Sequence, residues 1–276
     1  MYSDYHVHTS FSDDSEYQME NLFNDAIALG FEEICFTDHV DYGIKLDWDE
    51  PAKFEYRYGM PMANVDYPKY FKMINELQVK YKDKITIKAG MEFGVQVHTI
   101  PLYQDLFKNW NFDFVILSCH QVDDKEFWTQ EFQTGRTQQE YQERYYQEIL
   151  NVITYYKDYS VLGHLDLLKR YDKQGSYPFE KIKPIIEKIL KLVIADGKGI
   201  EVNTSSYQYG LNDLMPSRDI LRLYYELGGT IITIGSDTHK KEHLGGHVED
   251  VKEELKKIGF KYHCTFIELQ PIFHEL

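Results

Sequence analysis

The chain has 276 residues, 43% hydrophobic and 27% charged, a balance that excludes a disordered chain and supports a buried core. A formal net charge of −15 excludes nucleic acid as a general partner, because phosphate backbones need basic surface, and no apolar run approaches the roughly 20 residues of a membrane span. Cys35, Cys119 and Cys264 form neither a disulfide framework nor a CxxC pair, and MYSDYHVHTS lacks the basic start and apolar stretch of a signal peptide, so a cytoplasmic protein is expected.

In chain order, short β-rich runs fall near DYHVHT, EEICFTDH, ITIKAGME, FDFVILSCH, SVLGHLD, GIEVNTS and GTIITIGSDTH. Segments of helical period lie between most of them: 19–29 ended by Gly30, 67–81, 138–156, 178–195 ended by Gly197, and 217–227 ended by Gly228. Glycine just past a periodic segment is a helix stop. Strands alternating with helices predict parallel pairing, with no internal repeat or linker to divide residues 1–276 into more than one domain.

The first run carries His6 and His8, which share one face if the segment is extended. That pair alone fits either a metal site or a polar face. The later runs decide between them. They end in Asp38 and His39, in Glu92, in His120, in His164, in Asn203, and in Asp237 and His239. A solvent-facing strand end is commonly polar, but chance does not draw one ending after another largely from His, Asp and Glu. In a (β/α) barrel such ends converge on one mouth, where the active site sits.

HVHTSFSDD, TDH, the His of SCHQ, and GSDTH, joined by the Glu of GMEFG and the His of GHLD, resemble in order the motifs of the polymerase and histidinol phosphatase (PHP) superfamily. The resemblance runs from His6 to His239. GHLDLLKRY, IEVNTS and PSRDIL are similar to its histidinol-phosphatase branch. It implies an α/β fold, a distorted (β/α)7 TIM-like barrel, and a centre of three divalent ions (Zn, Mn or Fe). Carried over by residue, it implies that His6, His8, Glu92 and Asp237 hold one metal, that Glu92, His120 and His164 hold a second with Glu92 bridging, and that Asp14, His39 and His239 hold a third. The implied activity is hydrolysis of L-histidinol phosphate, in histidine biosynthesis, by a hydroxide shared between the bridged metals. A PHP phosphoesterase acting on nucleotides or protein phosphotyrosine, and a non-catalytic metal-binding module, are the alternatives.

The remaining expectations concern selectivity for a small phosphate monoester. Segment 40–64 carries Trp48, Phe54, Tyr56 and Tyr58, and reads either as a pocket wall for an imidazole ring or as a loop packed for stability. Arg170 and Arg218 are candidate phosphate forks, or solvated surface charges. Asn203 is a candidate substrate contact. Asp38 is expected to orient a ligand, and Asp166 to do the same or to meet the substrate amine. His98 and His243 fall in expected mouth loops, off the strand-end pattern. Oligomeric state is not legible here.

Overall fold

All of the β-rich runs become strands of one parallel sheet in the computed structural model, which describes residues 1–57 and 59–276. They are β1 (Ser3–Val7), β2 (Glu33–Phe36), β3 (Thr86–Gly94), β4 (Phe114–Ser118), β5 (Val161–Leu162), β6 (Gly199–Asn203) and β7 (Ile232–Gly235), paired in chain order. A two-residue strand, His39–Val40, also pairs with β3 and sets His39 beside Glu92. Strands covered on both faces read as continuous apolar runs rather than alternating ones, as in the wholly buried FVILS of β4.

The sheet curls into a nearly closed barrel, and the seam lies at the ligand-bearing ends. Asp237 N donates to His6 O at 2.8 Å and His8 N to Thr238 O at 2.9 Å. Below them the buried Asp4 carboxylate accepts from the backbone N–H of Ser236 at 2.9 Å and of Gly245 at 3.0 Å.

Helices cover the outside: α1 (Met19–Ala28), α2 (Tyr67–Tyr81), α3 (Ile100–Asn109), α4 (Gln138–Tyr155), α5 (Phe179–Ala195), α6 (Arg218–Glu226) and α7 (Val248–Ile258). α4 starts on a capping box in which Thr137 and Glu140 satisfy each other's backbone N–H. α3 and α7 were not among the periodic segments. α7 has only a narrow stripe, Val248, Val251 and Leu255, inside a charged sequence. A hairpin of β8 (Tyr262–Ile267) and β9 (Gln270–Glu275) follows. Its Cys264 and Phe266 pack with Tyr5, Phe114, Ile116 and Val161 near the strand starts, away from the ligands.

Tyr103 on α3 links this cover to the mouth. Its fully buried hydroxyl is shared between Val40 O at 2.7 Å and Gly94 O at 2.9 Å, and it accepts from Tyr42 N at 3.1 Å. Removing it leaves buried backbone groups unpaired. Tyr103→Phe should therefore lower stability by about 1–3 kcal/mol. The readout is a lower urea midpoint at unchanged slope; an unmoved midpoint would show that the hydroxyl does not hold this junction.

Candidate metal centre

Strand alternation turns His6 and His8 to the same side, with ring centroids 4.9 Å apart. Glu92, fully buried, stands between two groups of imidazoles. Its Oε1 lies 2.8 Å from His164 Nε2, 3.0 Å from His120 Nε2, and accepts from Ser118 Oγ at 2.6 Å. Its Oε2 lies 2.9 Å from His39 Nδ1, 3.2 Å from His6 Nε2 and 3.5 Å from His8 Nε2. Asp237 Oδ1 is 3.4 Å from His8 Nε2 and 3.6 Å from His6 Nε2. At the rim, Asp14 Oδ2 is 3.2 Å from His239 Nε2 and 3.5 Å from His39 Nε2, on a side chain 52% exposed.

These residues fit metal ions. Among the described residues, Nε2 of His6, His8 and His239, and Oε2 of Glu92, are buried and lack any hydrogen-bond partner, although they face one another. Orphaned acceptors converging on a common space are what a cation, rather than a proton, satisfies. Donor atoms of His6, His8 and Glu92 lie within 4.8 Å of one another, as do those of Glu92, His120 and His164, and those of His8, His39 and His239.

The electrostatics follow from this crowding. Burial favours the neutral form of Glu92, yet His6, His120 and His39 hold it well below the usual carboxylate range. Burial opposes charging His6, yet Glu201, Glu92 and Asp237 raise it well above an ordinary imidazole. For His120 burial is likewise outweighed, by Glu92 and Asp41, to about 9. His8 goes the other way, pushed down by burial and by His239 and His39.

Behind the ligands stand carboxylates that orient them. Glu201 on β6 meets His6 Nδ1 at 2.5 Å through Oε1, and its Oε2 accepts from His164 N at 2.9 Å. Asp41 meets His120 Nδ1 at 2.7 Å and is itself paired with the buried Lys45 at 3.0 Å, which reaches Asp13 at 2.5 Å. Asp38 accepts from Thr9 N at 2.6 Å and Ser12 Oγ at 2.7 Å. Ser12 Oγ lies 3.3 Å from His8 Nδ1 and accepts from His39 N at 3.1 Å, so Asp38 acts on both histidines through Ser12. Gly94 and Gly235 make room for two of these carboxylates: a Cβ at Gly94 would collide with Asp41, and one at Gly235 with Glu201 and with His6.

The mouth above the ligands is a cavity of about 780 Å³. Arg170 lines it. Its Nη2 lies 2.5 Å from Ser205 Oγ and 3.3 Å from Asp237 Oδ2, its guanidinium sits 4.0 Å over the Tyr209 ring, and its buried Nε has no partner. Arg218 is not brought here. It is engaged by Asp213 at 2.6 Å and Glu254 at 2.8 Å, which leaves no fork for phosphate. Trp48 packs on the core, and neither it nor Phe54 lines the mouth; Tyr58 lies outside the described residues. Arg57 and Met60 of the same segment do line it, with Trp128 from the loop after His120.

Asn203 is fully buried beneath the ligands, where it donates to Glu201 at 3.3 Å and is not exposed to substrate. Asp166 is buried beside the mouth and accepts from Lys169 Nζ at 2.8 Å and Ser217 N at 2.9 Å, touching no ligand. His98 pairs with Asp124 on the surface, whereas His243 lines the mouth. Sequence reasoning missed Glu201, Asp41, Lys45 and Trp128. Two of them carried a signal: Glu201 interrupts an apolar strand two residues before Asn203, and Asp41 sits two residues after His39.

Comparison with known proteins agrees with this geometry. The PHP domain family matches residues 4–205. The histidinol-phosphatase of Lactococcus lactis is 35% identical over 268 residues, covering 95% of this chain and 93% of that protein. A probable histidinol-phosphatase of Thermotoga maritima is 28% identical over 260 residues, 94% of this chain and 93% of its own. The crystal structure of the Lactococcus lactis histidinol phosphate phosphatase, complexed with zinc, L-histidinol and phosphate, superposes with a TM-score of 0.84 at 33% identity over 98% of both chains. A putative histidinol phosphatase from Listeria monocytogenes shares the fold, with a TM-score of 0.68 at 21% identity over 90% of this chain and 99% of that one. The matched region takes in β1 to β6 and the ligands they carry up to His164, and the likeness of the whole chain extends it to Asp237 and His239: the chain belongs to the PHP domain family.

Proposed function

We infer that this chain is a metal-dependent phosphatase that hydrolyses L-histidinol phosphate to L-histidinol and phosphate, in histidine biosynthesis in the cytoplasm, with residues 1–276 acting as one domain. The observation that carries the chemistry is Glu92, buried between two sets of imidazoles: Nε2 of His120 and of His164 meets its Oε1, while Nε2 of His6 and of His8 faces its Oε2 with no hydrogen-bond partner among the described residues. The named substrate is supported by the histidinol-phosphatases of similar length and sequence.

Three divalent ions (Zn, Mn or Fe) would be held by His6, His8, Glu92 and Asp237, by Glu92, His120 and His164, and by Asp14, His39 and His239. When bound, such ions supply Lewis acidity and lower the pKa of water to near neutrality. The chain's own residues do the rest. Asp14, Glu92 and Asp237 bring three negative charges against six positive ones, so an acidic protein presents a locally cationic floor to phosphate. Arg170, kept in place by Ser205, Asp237 and the Tyr209 ring, adds a charged donor at the edge of that floor. Glu201 and Asp41 fix the rings of His6 and His120 so that Nε2 of each faces inward.

Turnover on a panel of phosphomonoesters, nucleotides and phosphotyrosine peptides included, tests the reading, with histidinol phosphate expected as the preferred substrate. His120→Asn should lower kcat by several orders of magnitude on every substrate, and His98→Asn by less than about tenfold, or roughly 1.4 kcal/mol in barrier. Equal losses would mean that the histidines forming the site are misassigned.

Metal loading should also release protons. A group raised to about 9 keeps its proton at pH 7 in the metal-free chain, and His120 must lose it before Nε2 can bind a cation. Loading at pH 7 should therefore release at least one proton per chain, and metal affinity should fall as pH drops. Calorimetry in two buffers of different ionisation heat measures this; identical heats in both would contradict the assignment.

Arg170→Met should reduce kcat/KM for histidinol phosphate and for a generic aryl phosphate by similar factors, about 10 to 100-fold, as expected for a charge-assisted hydrogen bond of roughly 1.5–3 kcal/mol. Arg218→Met, outside the mouth, should leave both nearly unchanged. A large loss on one substrate alone would remove Arg170 from the phosphate end.

A further inference from the structure

The wall of the mouth opposite Arg170 in character is apolar, and two ligand-bearing loops build it together. Trp128 is 41% exposed and Met60 40%, both lining a cavity whose other walls are largely charged. Their exposure is enforced. Phe127, next to Trp128, is buried against Phe132 and Tyr145, and its carbonyl accepts from the side-chain amides of Gln130 and Gln133 at 3.0 Å each. With residue 127 pinned inward, residue 128 is displayed toward the mouth.

Arg57 joins the two loops. It lies in the short hairpin Tyr56–Arg57 and Met60–Pro61, in the segment that follows His39. Trp128 follows the hairpin Gln121–Val122 and Lys125–Glu126, which begins just after His120. The Arg57 guanidinium holds Glu126 through two parallel contacts, 3.0 and 2.6 Å, and lies 4.7 Å from the centre of the Trp128 ring. A guanidinium neutralised by a bidentate carboxylate does not compete for phosphate. It serves as a brace that fixes one aromatic surface at a set position relative to the ligands.

We propose that Trp128, with Met60, is the surface against which the imidazole ring of the substrate packs, and that the Arg57–Glu126 pair positions it. The proposal rests on the histidinol phosphate reading above and deepens it. A substrate with an anionic end and a flat heteroaromatic end needs both a cationic floor and an apolar wall. Trp48 and Phe54, which the sequence offered for the wall, are turned elsewhere; Trp128 comes from a different loop.

The test uses the metal-loaded protein and its two reaction products as competitive inhibitors. Trp128→Ala should raise the Ki of L-histidinol roughly 10-fold, about the factor that 1.4 kcal/mol sets, and leave the Ki of inorganic phosphate within twofold of the parent. Trp128→Phe should restore most of the loss. Met60→Ala and Glu126→Gln should move the L-histidinol Ki in the same direction, again without moving that of phosphate. A general structural role would raise both constants together. Equal rises in both, or an L-histidinol Ki unmoved by all of these substitutions, overturns the proposal while leaving the phosphatase reading intact. Failure of the parent protein to turn over histidinol phosphate overturns both.

Discussion

A carboxylate buried to zero exposure in a protein interior is costly unless its charge is met, and the centre of this molecule is organised around meeting the charge of Glu92. Its two oxygens face five imidazoles delivered by three strand ends, those of β1, β4 and β5, and by the short His39–Val40 strand. No single strand could supply them, since a strand offers one face only at every second residue. A barrel does, because its parallel strands all end at the same rim. The ring is also closed at that rim: the hydrogen bonds joining β1 to β7 are made by His6, His8, Asp237 and Thr238 themselves. Barrel closure and ligand placement are therefore one constraint, and a change that opened the seam would separate His6 from Asp237 as directly as a change of either side chain.

Most of the candidate ligands stood out in the sequence because they terminate apolar runs, and position at a strand end is a local property; Asp14, off that pattern, was offered by the family resemblance alone. The strand order needed only the alternation with helices. What was not legible depends on register between strands. Glu201 is a strut because β6 carries it beneath His6 of β1, two strands away around the closed barrel; nothing adjacent to it in sequence says so. Arg218 illustrates the converse. In sequence it opens a helix after a polar strand end, a place suited to phosphate, but Glu254 on α7 takes its guanidinium. Segment 40–64 was correctly sited beyond a ligand-bearing strand, yet which of its side chains face the mouth was set by packing: Trp48 went to the core and Met60 to the cavity.

The acidic composition is reconciled with an anionic substrate at the same scale. Cations around the mouth are mostly committed to carboxylates: Lys45 to Asp13 and Asp41, Arg57 to Glu126, Arg170 to Asp237. Paired charges of this kind shape the cavity without creating a broad positive field, so polyanions are not drawn in by the surface.

Two of the candidate ligands sit at positive φ, which L residues seldom adopt: His164 at φ 21° and Asp237 at φ 55°. Non-glycine residues are uncommon there, and such backbone persists where surrounding contacts over-determine it. At His164 the backbone N–H donates to Glu201, the carboxylate that also meets His6. One side chain on β6 thus holds the backbone of one neighbouring segment and a ring across the barrel. This coupling explains why a fully buried Glu stands in an otherwise apolar strand, where a hydrophobic residue would pack at lower electrostatic cost. Its carboxylate holds ligands on both sides of Glu92 to one geometry, so the two halves of the centre are set by the same group rather than independently.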